Sequence, residues 1–148
     1  MMRGVRLVLR LLLAAVFLYA AYTKLRQPWL LFAMSIDSYQ LLPQWAVLFV
    51  ARTLPWMELL LGLLLASGYV LPYAALATSA QLLVFFSVMA RAYAKGLGID
   101  CGCFGAGEAL TGWTLARDGT LLAGAIALTV SAFAARSTRR RESGQSAD

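Results

Sequence analysis

The chain has 148 residues, of which 61% are hydrophobic and only 14% charged, and its mean hydropathy of +0.72 excludes an ordinary soluble domain. That length supplies roughly four membrane spans of about 20 residues with short connections, leaving no room for a second, soluble domain. The net charge of +6 is accounted for by membrane topology and anionic lipid, with no nucleic acid implied.

The first apolar run, Val5 to Leu25, follows Arg3, Arg6 and Arg10, the charged start that a secretory signal would have. Leu18 and Tyr19, just before Ala20 and Ala21, are too bulky for a small-x-small cleavage site, so the run is read as an uncleaved anchor helix. A long loop from Pro28 to Pro43 follows. The second run, Gln44 to Ser67, carries Arg52, Pro55 and Glu58, which predicts an interfacial first third and a span beginning near Leu54. Gly68 and Pro72 predict one helix closing and the next opening, joined as a tight hairpin. The third span runs from Pro72 to Ala94, a polar break follows, and the fourth span runs from Leu115 to Ala135. The expected fold is all-α, an integral membrane four-helix bundle over residues 1–135, with a basic, disordered tail over 136–148.

With four spans both ends share one side. That side holds Arg3, Arg6, Arg10, Arg136, Arg139, Arg140 and Arg141, against Lys24, Arg26, Arg52, Arg91, Lys95 and Arg117 on the other. The arginines at the ends are clustered and free, whereas several of the others flank helices where a partner is available. The positive-inside rule therefore puts both termini in the cytoplasm of a bacterial inner membrane and the polar break on the periplasmic face, where disulfides persist.

That break holds both cysteines of the chain, in the run Cys101, Gly102, Cys103, Phe104, Gly105. A one-residue spacer permits a disulfide only if the backbone turns tightly, and Gly102 is the residue best able to do so. Exposed, strained disulfides are labile and catalytic. Arg91, Lys95 and Arg117 flank the loop, where positive charge lowers a thiol pKa; Asp100, adjacent to Cys101, opposes this but offers a proton acceptor during exchange. Which cysteine attacks is open at this stage. The competing readings are a structural staple or idle thiols, and metal binding. A staple across so short a loop removes little chain entropy. Without histidine a zinc site would need carboxylates such as Asp100 or Glu108, copper(I) suits soft thiolates better, and the absent C-x-x-C-H pattern rules out a covalent c-type haem.

Glu58 carries weight because a carboxylate within a span is costly. It pairs with Lys24, at the outer end of the first helix, as a packing ion pair, or it serves as a proton relay or a polar contact to a quinone-like acceptor. Gln81 is read as interhelical hydrogen-bonding glue. Trp29, Trp45, Trp56 and Trp113, with Tyr39 and Tyr93, read as interfacial anchors, and Trp113 is also placed to shield a disulfide.

The stretch from Ala94 to Asp118, with Asp100, Cys101, Gly102, Cys103, Phe104 and Gly105 followed by Trp113, Arg117 and Asp118, resembles the MauE branch of the MauE/DoxX family of redox-associated membrane proteins. Arg10, Lys24 and the Pro55, Glu58, Gly62 pattern resemble the wider DoxX pattern, and the resemblance extends from Arg10 to about Val130. It implies a four-helix bundle comparable to vitamin K epoxide reductase-type architecture. The name-giving members belong to methylamine utilisation, where they are thought to assist disulfide formation or maturation of the methylamine dehydrogenase light subunit. The expected function is thiol-disulfide exchange with a periplasmic thioredoxin-like or maturing protein through Cys101 and Cys103. No cofactor is evident; a quinone is the acceptor to consider. The alternatives are a non-enzymatic membrane scaffold for a redox partner, or a copper(I)-binding membrane protein.

Overall fold

The computed structural model describes residues 2–145. Five helices and one small β-hairpin follow in order: α1 (Met2–Arg26), α2 (Trp29–Asp37), α3 (Gln44–Ser67), α4 (Leu71–Ala94), β1 (Asp100–Gly102), β2 (Gly105–Ala109) and α5 (Gly112–Gln145). The protein is an all-α membrane bundle, in which α1, α3, α4 and α5 are long and apolar enough to cross a bilayer. Much of their apolar surface faces outward, as lipid contact requires.

The helices associate as two well-packed pairs, α1 on α3 and α4 on α5. Between α1 and α3 a Cβ on Gly62 would stand 2.8 Å from two carbons of the Leu18 side chain, so only glycine permits this approach. Between α4 and α5, buried Ala74 and Ala75 face Ala125 and Leu128, and the Ser79 and Thr129 hydroxyls hydrogen-bond at 3.0 Å. Small residues and hydroxyls of this kind bind helices together in lipid, where the hydrophobic effect offers no drive for association.

Four expectations change. The second span is expected to begin near Leu54, but α3 is one continuous helix through Pro55 and the whole helix Gln44–Ser67 is long and apolar enough to cross a bilayer, its first half packed on α2 through Val47, Ala51 and Leu54. The hairpin of α3 and α4 has the expected punctuation, with Gly68 at φ +73° ending α3 and Pro72 in the first turn of α4. Yet these helices share much less contact than either packed pair, and they diverge. The loop from Pro28 contains α2, capped by that proline and packed on α3 and the β-hairpin. Finally, α5 continues past Ala135 as far as Gln145, so the segment expected to be disordered is helical up to that residue; Ser146 to Asp148 lie outside the described residues.

The end bearing the N-terminus of α1 also holds the α3–α4 turn and the second half of α5. There the Arg136 guanidinium lies 5.2 Å from the Tyr73 ring centre. The β-hairpin and α2 therefore close the opposite end of the bundle.

Candidate functional site

Local signals place the thiols. Gly96, at φ +67°, ends α4, with the Leu97 N–H bonded to the Ala92 carbonyl at 3.1 Å in a Schellman closure. The Thr111 hydroxyl caps α5 by accepting the Thr114 N–H at 3.3 Å. Between them the chain makes an antiparallel hairpin with Asp100 opposite Ala109 and Gly102 opposite Gly105. Alternation along such short strands was hidden among glycines, so the sequence presented only a polar break.

Gly102 takes the conformation expected of it. Its φ is +69°, and a Cβ there would meet the Ser35 Cβ at 3.4 Å and Phe32 at 3.8 Å on α2. The turn brings the Cys103 N–H to within 3.3 Å of the Cys101 sulfur. Both residues are free thiols, Cys101 buried and Cys103 partly so.

Their environments differ. The Cys103 thiol donates to the Cys101 sulfur, which holds the Cys101 pKa below its ordinary value, against the opposing effect of burial. The same bond, together with burial and the nearby negative charge of Asp118, pushes Cys103 far up. Cys101 is thus the more acidic thiol of the two and Cys103 the one that holds its proton. Around them, the Asp118 carboxylate stands 3.3 Å and the Met89 sulfur 3.4 Å from the Cys103 sulfur, and Glu108 lies 3.6 Å from that of Cys101. The Tyr39 hydroxyl donates to the Cys101 carbonyl at 2.9 Å; burial, then the neighbouring thiols and carboxylates, raise its pKa and keep it a donor.

Several expected roles move. Asp100 does not serve Cys101: its carboxylate accepts the Gly107 N–H at 3.1 Å across the hairpin. Arg117 does not activate a thiol either, because it is bound to Glu108 at 2.5 Å and to Asp118 at 3.2 Å. Its guanidinium lies 4.5 Å from the Phe104 ring centre, and Phe104 also meets Tyr19 of α1 at 5.7 Å, so Phe104 pins the hairpin to two helices. A cation that favours the Cys103 thiolate is Lys24, while Arg91 and Lys95 line a separate small pocket with Tyr39 and Val88. Trp113 is 78% exposed and shields nothing, Trp56 sits within α3 rather than at its end, and Tyr39 is a site residue rather than an anchor.

Lys24 and Glu58 meet as an ion pair, 2.6 and 2.8 Å from the ammonium to the two carboxylate oxygens, with the residues only 2% and 5% exposed. The Phe32 and Phe85 rings lie 5.2 and 5.9 Å from the ammonium. A cavity of about 40 Å³ joins this pair to Cys103, Phe104, Asp118 and Gln81, roomy enough for water. Gln81 is not glue: its Oε1 is buried without a hydrogen-bond partner, and the Ser79 and Thr129 hydroxyls take the role assigned to it. Among the described residues no group of three or more metal-ligating side chains converges.

The sequence profile of the methylamine utilisation protein MauE family matches residues 2–131, which spans α1 through most of α5. The chain belongs to the MauE family. Comparison with curated proteins and with solved structures gave no match. The matched range takes in the cysteine hairpin and the ion pair of this MauE-family chain, while the end of α5 lies beyond it.

Proposed function

We propose that this MauE-family chain is a membrane-embedded thiol-disulfide redox protein that acts on a thioredoxin-like or maturing protein through Cys101 and Cys103. The observation that carries the reading is the pair of unequal, hydrogen-bonded thiols across a left-handed glycine. An activated attacking thiol beside a protonated resolving one is the arrangement thiol-disulfide exchange needs. The Cys101 thiolate attacks a disulfide of the partner, forming a mixed disulfide and releasing one partner thiol. Cys103 then loses its proton to Asp118 and attacks the Cys101 sulfur, which closes the Cys101–Cys103 disulfide and frees the second partner thiol. Run in reverse, the same steps install a disulfide in the partner.

The setting belongs to the same proposal. Arginines gather at the end of the bundle opposite the hairpin, which favours cytoplasmic termini and a periplasmic thiol pair in a bacterial inner membrane. The family is described by methylamine utilisation, which makes a protein of that pathway the partner to examine first.

The test is covalent trapping. Cys103→Ser retains the attacking sulfur and removes the resolving one, so it should accumulate a mixed disulfide with its partner that survives non-reducing electrophoresis and vanishes with reductant. If neither single-serine variant traps a protein, and the double variant complements a deletion fully, the chain is a scaffold and the redox reading is wrong.

A further inference from the structure

The divergence of α3 from α4 leaves a cavity of about 680 Å³, with Cys101 and Gly102 in its wall at the hairpin end. Its size is that of a small-molecule site. The lining is almost wholly apolar, from Leu54 and Leu61 on α3 to Ala80, Val84 and Phe85 on α4. Met57 and Leu60, also in that wall, are exposed apolar side chains of a membrane span. The cavity therefore opens sideways toward lipid.

One polar group in this wall is unexplained. Gln81 borders both this cavity and the small one holding Cys103, Asp118, Lys24 and Glu58, and its buried Oε1 has no donor. A buried acceptor left unmade is costly, and a hydroxyl on a ligand would satisfy it. When exchange installs a disulfide in the partner the pair is left reduced, and with only two cysteines in the chain no second pair in this protein can carry its electrons onward. An acceptor for them can reach Cys101 through the apolar, lipid-facing cavity.

We propose that the cavity between α3 and α4 binds the ring of a lipid-soluble quinone, which takes two electrons from the Cys101 and Cys103 pair. The proposal rests on the thiol-disulfide reading above. In the net step the Cys101 thiolate and Cys103 thiol join in a disulfide and the quinone becomes a hydroquinone. One proton comes from the Cys103 S–H by way of Asp118, the other from solvent. Gln81 Oε1 accepts a hydroxyl of the hydroquinone. A phospholipid acyl chain would fill the same volume, but it offers no donor to Gln81 and no acceptor for electrons.

The experiment uses the full chain, reduced and reconstituted anaerobically in phosphatidylcholine vesicles, with decylubiquinone as the probe. Protein thiols and quinone should disappear together, one quinone for each thiol pair. Ala80→Phe, which fills the cavity away from the thiols, should slow this oxidation about tenfold, the scale of discrimination in an apolar pocket, while oxidation by water-soluble glutathione disulfide keeps its rate. Gln81→Leu should weaken inhibition of the reaction by added decylubiquinol, whose hydroxyl then loses its acceptor, Oε1. Should Ala80→Phe fail to fold, an azidoquinone on the unaltered protein serves instead: its label should fall on α3 and α4. Thiols oxidised by glutathione disulfide but not by decylubiquinone, an Ala80→Phe rate equal to the parent's, or label spread over α1 and α5 each overturn the site and leave thiol exchange standing. Quinone-driven oxidation without any trapped partner instead overturns the partner reading and leaves the cavity.

Discussion

Cys101 and Cys103 are separated by one residue yet hold opposite protonation preferences, and the cause is local. The Cys103 thiol donates to Cys101 and so favours its thiolate, while Asp118 discourages a second negative charge on Cys103. Removing the donor should reverse this. In Cys103→Ala the Cys101 pKa is expected to rise, measured by titrating thiolate ultraviolet absorbance, and the fraction of thiolate at neutral pH should fall; an unchanged titration would mean that the bond between the thiols does not set their chemistry. The pair itself was legible from spacing, and so was the need for glycine between its members. The partner carboxylate was not. Asp100 is the neighbour along the chain, but successive residues of a strand face opposite sides, so its carboxylate turns to Gly107 and the thiol meets Asp118, which returns from the second turn of α5. Only the fold makes that neighbour visible.

At the scale of elements, the four long helices were legible because sustained apolar runs have one physical solution in lipid. The short elements were not. Helix α2 has nine residues and the hairpin strands three and five, too few for periodicity to show, and both are held by tertiary contacts. The hairpin depends on Gly102. A valine there would strain a backbone at φ +69°, at a cost of about 1–2 kcal/mol, and press its Cβ toward Ser35 and Phe32. Gly102→Val should therefore displace the hairpin from α2 and expose Cys101, seen as faster alkylation and as a pair that shifts toward the dithiol. Gly98→Val is the control, since a Cβ there meets nothing within 4 Å and the backbone is not left-handed. Equal behaviour of the two variants would show that the turn does not shape the thiol pair.

Over the whole molecule, one buried ion pair ties the first packed pair of helices together and stands beside the thiols. Breaking such a pair strands a charge and costs about 3–5 kcal/mol, more than replacing both partners with apolar groups. Lys24→Met and Glu58→Gln should each lower thermal stability in detergent by about 3 kcal/mol or more, and the double variant should lose clearly less than their sum. Additive losses would mean that the two residues do not act together. The proposed orientation has its own check: in intact cells an impermeant thiol reagent should label the cysteine pair of Gly102→Val, whose hairpin is loosened, without permeabilisation. Labelling only after the inner membrane is opened reverses the topology.

The same ion pair bears on how the chain enters the membrane. Lys24 and Glu58 lie on different helices with α2 between them, and synthesis from the N-terminus delivers the lysine before its counter-ion exists. Lys24 belongs to the last turn of α1, where a long aliphatic stem lets an ammonium stay in the headgroup region while it waits. Glu58 lies well inside α3, on a short side chain with no such refuge, and it arrives to a cation already in place. The order in which the ribosome makes the two charges is the order in which a bilayer can accept them.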